Sequence, residues 1–370
     1  VLKSQVTISQ YQVDKFNGWF TPSTYGSNVN DGVTGKASRD FDKSTTNNLE
    51  WVTNFSTRIK NHQIRAMVGY SYNYGVNSGM SAENWNFSSD GLTYNNLGSG
   101  LEAAKDGKTM MGSYKNDHKL ISFFGRVNYD YKGRYLAEVN MRYDGTSRFL
   151  RDNRWNLFPS FSLGWNMARE AFFEDLTDLI STFKIRGSWG ELGNQNTDNW
   201  YPFYRTIDIN KDQWGNYALG SWLVNGVKPN ISKESALVSS LLTWEKTQTL
   251  DLGFDLSMLN NRLNVTFDYF QRKSKNMVGP APELPNLLGI AVPKVNNLDM
   301  TSKGWEIQVN WRDQIRDFKY GVTLSLSDNQ VVIDKYPNPS NTILDKDNNN
   351  TYYAGAHVGD IWGFQTIGIA

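Results

Sequence analysis

The sequence predicts an all-β chain that forms the wall of a transmembrane, antiparallel, up-and-down β-barrel, and three observations carry that prediction. Apolar and polar residues alternate with a period of two in segment after segment. The connections between those segments alternate between short turns and long polar stretches. Aromatic residues make up 14% of the 370 residues whereas proline occurs only 10 times, a balance that suits a long run of strands.

Weaker alternation near 3–16 marks the first strand. Leu49, Trp51, Phe55 and Ile59 oppose Glu50, Asn54, Ser56 and Arg58; beyond a turn at Asn61-His62, Ile64, Ala66, Val68, Tyr70, Tyr72 and Tyr74 oppose Arg65, Gly69, Ser71 and Asn73. The clearest hairpin follows. Ile121, Phe123, Val127, Tyr129 and Tyr131 share one parity, Ser122, Arg126, Asn128, Asp130 and Lys132 the other. After Lys132-Gly133 the pattern resumes with Tyr135, Ala137, Val139, Met141 and Tyr143. Two such runs around a tight Gly turn make a β-hairpin, and apolar residues do not recur there at helical spacing. A further run spans 157–167. Phe183, Ile185 and Trp189 begin the next, Leu250 to Met258 and Leu263 to Tyr269 form another hairpin, and Trp305 to Trp311 pairs with Phe318 to Leu326. With a weak run at 361–370 the count is about a dozen strands.

Short turns are expected at 60–62, 132–133, 259–262 and 313–317, with a compact one at 168–182 carrying Phe172, Leu176, Leu179 and Ile180 at helical spacing. Long polar segments fall at 17–48, 75–120, 144–156, 193–240, 276–302 and 329–360. Every second connection is long, so the long ones gather at one rim, extracellular in an outer-membrane barrel, and the short turns at the periplasmic rim. Tyr70, Tyr74, Tyr129, Tyr131, Tyr135 and Tyr143 lie near strand ends, where interfacial girdles sit. The polar parity then faces the lumen, which explains a negative mean hydropathy in a membrane protein. The chain opens at Val1 without Met or signal peptide and ends in a strand-like run, so it reads as an interior piece of a larger barrel.

Composition removes several function classes. With 38 basic against 37 acidic residues the net charge is +1, so no basic face for nucleic acid is expected. There is no cysteine, and the three histidines are far apart, so no cofactor or metal site is expected. No nucleophile–base pair is evident, and the chain is not read as an enzyme. Asp31 to Ser38 (DGVTGKAS) resembles part of a phosphate loop but has Asn30 and Ala37 where Gly and Ser or Thr are needed. Asp345, Asp347 and Asn349 have calcium-loop spacing without the Gly and the bidentate Glu, since Asn350 and Ala356 stand there. Glu170, Glu174, Asp175 and Asp178 read as a solvated face.

Several motifs together resemble the SusC/RagA family of TonB-dependent outer-membrane transporters: Leu92-Thr93-Tyr94-Asn95-Asn96-Leu97-Gly98, Phe124 to Asp130 (FGRVNYD), Arg142 to Phe149 (RYDGTSRF), WNLFPSFSLGW at 155–165, KIRGSWGELGNQN at 184–196, Trp244-Glu245-Lys246-Thr247, DYFQRKSKNM at 268–277 and Lys303-Gly304-Trp305-Glu306. The resemblance runs over nearly the whole chain in order. It implies about half of a 22-stranded barrel at 1–370, with an N-terminal plug and final strands lying outside the sequence. It also implies uptake of oligosaccharides or peptides across the outer membrane of a Gram-negative bacterium, a SusD-like surface lipoprotein as lid, and energy from the TonB–ExbB–ExbD complex through an N-terminal region not found here.

The long segments carry Trp85, Tyr94, Trp200, Tyr201, Trp214, Tyr217 and Trp222, whose flat apolar faces and polar edges suit a sugar or peptide ligand at a polar mouth. The other reading is that these rings pack the loops together or meet a partner. Arg126, Arg142, Asp251 and Glu306 fall on the lumen parity and are expected to meet a plug or water. A passive or secretion barrel, and a soluble all-β carbohydrate-binding or adhesion protein, remain the alternatives at this point.

Overall fold

The computed structural model describes residues 1–22, 35–87, 89–101, 110–196, 200–204, 207–209, 223–226, 232–234, 238, 242–279, 294–338, 341–343, 351–362 and 368. Its strands are β1 (Leu2–Thr21), β2 (Lys36–Ile59), β3 (His62–Trp85), β4 (Met110–Tyr131), β5 (Tyr135–Thr146), β6 (Trp155–Asn166), β7 (Ile180–Asn194), β8 (Ile207–Ile209), β9 (Ser232–Glu234), β10 (Glu245–Met258), β11 (Leu263–Gly279), β12 (Val295–Ile315) and β13 (Phe318–Lys335). Eleven of them form one antiparallel sheet in sequence order, with β1 and β13 at its edges; β8 and β9 pair only with each other, a ribbon that period-two reading does not detect in three-residue strands. The resemblance implied about half of a barrel, and a sheet of eleven strands among the described residues is consistent with that.

The turns follow from the residues that close them. Ile59 pairs with His62, leaving Lys60-Asn61 as the whole loop with Lys60 at φ 53°. Lys132 and Gly133 take φ 54° and 64° between the paired Tyr131 and Tyr135, and Leu259, Asn260 and Asn261 are left-handed as well. Tight antiparallel connections need such positive φ to match strand twist. These short turns, with 167–179 and 316–317, all lie at one rim, as expected.

Apolar side chains form continuous rows along the outer face. Val6, Trp51, Tyr70, Phe123, Tyr143 and Leu157 are successive register partners from β1 to β6. Trp165, Ile185, Phe254, Phe267, Ile307 and Leu326 continue another row from β6 to β13. Val139 (47%), Phe161 (49%), Leu163 (63%) and Leu324 (54%) stand exposed on this face. So much exposed apolar surface would aggregate in water; here it meets lipid. Along β4, the girdle ring Tyr131 lies eight residues from Phe123, roughly 27 Å at a strand's rise, which matches a hydrocarbon band crossed at a tilt. No helix among the described residues is long and apolar enough to cross a membrane, and crossing by strands needs none.

The strands are far longer than crossing requires. β2 and β3 have 24 residues each and β4 has 22, against the roughly 9–11 that span a bilayer. The expected long segments 17–48, 75–120 and 276–302 are therefore largely strand where described, which corrects their reading as loops, whereas in 329–360 the strand reaches only to Lys335. Above the bilayer both faces meet water, so Thr45, Thr46, Asn47 and Asn48 can follow one another in β2 without alternation. The wall there is held by its ladder and by side-chain amides: Gln10 donates to Asn47 (2.8 Å) and Asn73 to Asn48 (2.5 Å).

Two smaller expectations are also corrected. The 168–182 connection forms 3₁₀ turns at Met167–Arg169 and Ala171–Leu176, and the buried ring is Phe173, while Phe172 is 65% exposed. Glu170 is not on a solvated face: its carboxylate accepts from the Trp165 indole (3.0 Å) and pairs with Arg134 (3.3 Å), while Glu174, Asp175 and Asp178 are exposed as expected. Hydrogen bonds from Tyr135 and Trp165 hold the Glu170 carboxyl below its ordinary pKa. Finally, Ile361 and Trp362 are not in a strand, and 363–367 and 369–370 lie outside the described residues, as do Asp345, Asp347 and Asn349.

The inner face carries charge. Arg186 on β7, Gly253 on β10 and Asp268 on β11 form one register row. The guanidinium reaches across β10 to pair with Asp268 (2.6 Å), and also meets Asp255 (3.3 Å) and Asp251 (3.4 Å). Gly253 makes this crossing possible: a Cβ there would meet the Asp268 carboxylate, the Phe267 carbonyl at 2.6 Å and Arg186 Cζ at 3.1 Å.

Two outcomes test these faces. Val139→Arg should destabilise the folded barrel by roughly 2–4 kcal/mol and Asn140→Arg by much less; equal costs in a folding titration of the intact barrel would reverse the assignment. Gly253→Ala should cost about 1–3 kcal/mol by displacing a charged hydrogen bond. Adding Arg186→Met to it should cost little more, whereas additive losses would show that Gly253 acts apart from the bridge.

Candidate functional site

The long-loop rim is the only part of the described barrel where buried apolar side chains gather into a cluster. Phe149, Phe158, Leu242 and Trp244 pack together, with Leu120 and Val278 against them. Phe149 follows β5, Phe158 belongs to β6, and Leu242 and Trp244 precede β10. Trp244 lies 5.7 Å from Phe149 and 5.3 Å from Phe158, ring to ring, and its indole N–H donates to the Arg154 carbonyl (3.1 Å). Register places Phe158 beside Arg142 on the inner face, so the cluster lines the mouth rather than the lipid side.

Polar contacts lock the same segment. The Asn296 amide both accepts from Thr243 N and donates to its carbonyl, each at 3.1 Å. Glu245 accepts from Asn194 and from Val278 N, and Lys246 pairs with the buried Glu191 at 2.7 Å. These bonds give the Trp244-Glu245-Lys246-Thr247 motif a structural reason: it staples the return of the longest connection onto β7 and β11.

The outgoing end of that connection is held elsewhere. Tyr201 donates to the Asp117 carbonyl (2.5 Å) and the Asp117 carboxylate (2.9 Å), and Asp117 N donates back to the phenol oxygen (3.1 Å). Burial, reinforced by the Asp117 carboxylate, pushes the Tyr201 phenol above its ordinary pKa. Trp200 lies 4.9 Å from the His118 ring and 4.4 Å from the Arg148 guanidinium carbon. His118 itself fits over Gly75, where a side chain would collide with the imidazole.

The expected ligand-contacting aromatics therefore divide. Trp85 is buried at 5%, covered by Lys36 with its ammonium 5.2 Å from the ring; Lys36 also pairs with Glu83, so the phosphate-loop lysine is occupied. Tyr94 is 38% exposed and lies over Gly18 of β1. Trp200 and Tyr201 are partly buried against β4. Trp214, Tyr217 and Trp222 lie outside the described residues. Reading single residues missed Phe149, Arg148 and Trp244, although RYDGTSRF and Trp244-Glu245-Lys246-Thr247 had already marked their neighbourhoods. On the same inner face, Arg142 donates to Asp144 (2.9 Å) and Ser122 (2.8 Å), and farther along the wall a recess of about 350 Å³ opens between Arg65, Glu138, Lys184 and Asp251.

Comparison with known proteins places this architecture. The family described as "TonB dependent receptor-like, beta-barrel" matches residues 3–366. TonB-dependent receptor P3 of Formosa agariphila is 30% identical over 364 residues, covering 95% of this chain and 34% of the relative. TonB-dependent receptor SusC of Bacteroides thetaiotaomicron is 30% identical over 225 residues, covering 60% of this chain and 22% of the relative. The chain thus spans about a third or less of these relatives' length. Among solved structures, the RagAB peptide importer in its closed-closed state shares the fold with a TM-score of 0.74 at 20% identity, over 90% of this chain and 35% of that one. A wall of antiparallel strands with an apolar outer face, a charged inner face and a packed extracellular mouth is thus a part of a larger barrel, and the chain belongs to the TonB-dependent receptor-like β-barrel family of the Gram-negative outer membrane.

Proposed function

We propose that this chain forms part of a nutrient importer that takes up oligosaccharides or peptides, energised by TonB–ExbB–ExbD and working with a SusD-like surface lipoprotein as lid. The observation that carries the reading is the mouth: a wall continued well above the bilayer, with the base of its longest connection packed against the inner face beside Phe149 and Trp244. A diffusion pore has no use for so extended a rim, whereas cargo too large to diffuse needs a wide capture surface. Family membership supports the TonB dependence, and the SusC and RagAB relatives support the lid and the substrate class. In this reading TonB acts through parts of the full-length protein beyond these residues.

Within the mouth we assign cargo or lid contact to Tyr94, Trp214, Tyr217 and Trp222, because aromatic anchors offer contact area at low rotamer cost. Trp85, Trp200 and Tyr201 support them by holding the loops. Replacing 210–230 in the full-length transporter by a short Gly-Ser bridge should lower uptake and lid co-purification while heat-modifiable gel mobility shows an assembled barrel; loop closure entropy changes slowly with length. Normal uptake and lid binding would remove this connection from the mechanism. Epitope tags inserted at Asn95-Asn96 should be reachable on intact cells and tags at Asn260-Asn261 should not; the opposite labelling would invert the topology.

A further inference from the structure

We propose that Arg148 and Phe149 are positioning residues which seat the two ends of the 195–244 connection against the inner wall of the mouth, each through one tryptophan. The inference rests on the capture reading above for its purpose, but its geometry stands independently of that reading. Two adjacent residues hold opposite ends of one connection. The Arg148 guanidinium carbon lies 4.4 Å from the Trp200 ring, six residues after β7 ends. The Phe149 ring lies 5.7 Å from Trp244, immediately before β10 begins.

The β7–β10 ladder already brings Asn194 opposite Glu245, so the neck of the connection is closed without these contacts. What they add is direction. Trp200 and Tyr201 land on Asp117 and His118 of β4, which is three strand spacings from β7, or roughly 14 Å around the wall. Alternation along β4 puts His118 on the same inner face as Ser122, whose hydroxyl accepts from Arg142. Trp200 and Tyr201 therefore sit on the lumen side, at a strand separated from β7 by β5 and β6.

The seat is firm enough to act as an anchor. Ser147 N donates to the Lys119 carbonyl (2.9 Å), Lys119 N donates to Ser147 Oγ (3.0 Å), and Arg148 N donates to Thr146 Oγ1 (3.3 Å), with Thr146 1% exposed. Arg148 Nε is buried with no hydrogen-bond partner, and so is His118 Nδ1. A guanidinium and an imidazole laid against an indole, instead of spent on hydrogen bonds, are what a stacked seat requires. Phe149, 2% exposed, ties the same turn to the Trp244 cluster.

Spin-label distances in the full-length transporter, with any cysteine outside residues 1–370 replaced by serine, test the seat directly, since residues 1–370 hold no cysteine of their own. Labels at Asn225→Cys on the connection and Ser113→Cys on the β4 wall should give a narrow distribution in the parent. Arg148→Ala and Trp200→Ala should each broaden it at least twofold, the double variant should broaden it no further than either single one, and Trp200→Phe should restore most of the narrow distribution. Tyr201→Phe, which keeps the ring and loses only the Asp117 contact, provides a milder variant should Trp200→Ala fail to assemble; it should broaden the distribution less than Arg148→Ala. An unchanged width in Arg148→Ala, or additive effects of Arg148 and Trp200, would overturn the proposal. A broadened distribution with normal uptake in cells would uphold the seat and count against the capture reading instead.

Discussion

Every backbone amide and carbonyl inside a hydrocarbon layer needs a partner, because no water is there to supply one. For a chain that crosses on strands this single constraint dictates a continuous antiparallel ladder through the eleven strands of the main sheet, and the remaining features follow from it. The ladder forces alternation, so one parity must be apolar and the other is free to carry Arg186, Asp251 and Asp268. It also forces tight reversals at the inner rim, which places left-handed residues such as Lys132 and Asn260 at the turns.

Above the bilayer the constraint relaxes, and the molecule changes character. Polar side chains may occupy both faces, the strands lengthen, and the burial that is scarce in the membrane part appears at the mouth as the Phe149–Trp244 cluster. There the protein resembles an ordinary water-soluble structure, with a small apolar core, amide brackets such as Asn296 around Thr243, and an ion pair between Lys246 and Glu191. The wall and the mouth are thus two solvent regimes sharing one set of hydrogen-bond ladders.

This division explains what could be read in the sequence. Within the hydrocarbon, Val139 opposite Val127 and Ile185 opposite Phe254 betray their strands because lipid demands period two. In water, Thr45 to Asn48 are equally regular strand but carry no such periodicity, so the extent of β2 was invisible and the connections looked longer than they are. Likewise, a lone Arg148 or Phe149 says nothing of its partner: Trp200 and Trp244 are 52 and 95 residues away in sequence, and only the folded wall brings them to neighbouring positions. Nor does the sequence show that the ring of Trp85 is covered by a lysine from a different strand.

The gap at Gly253 bears on how such a barrel can change over generations. The guanidinium of Arg186 occupies the space that a side chain on the intervening strand would fill. Position 253 and the Arg186–Asp268 bridge are therefore not independently variable: any larger residue has to arrive after the bridge has been given up, and even then it meets the Phe267 carbonyl. Substitutions across three strands are ordered in time by one missing methyl group, although residues 186 and 268 never share a hairpin.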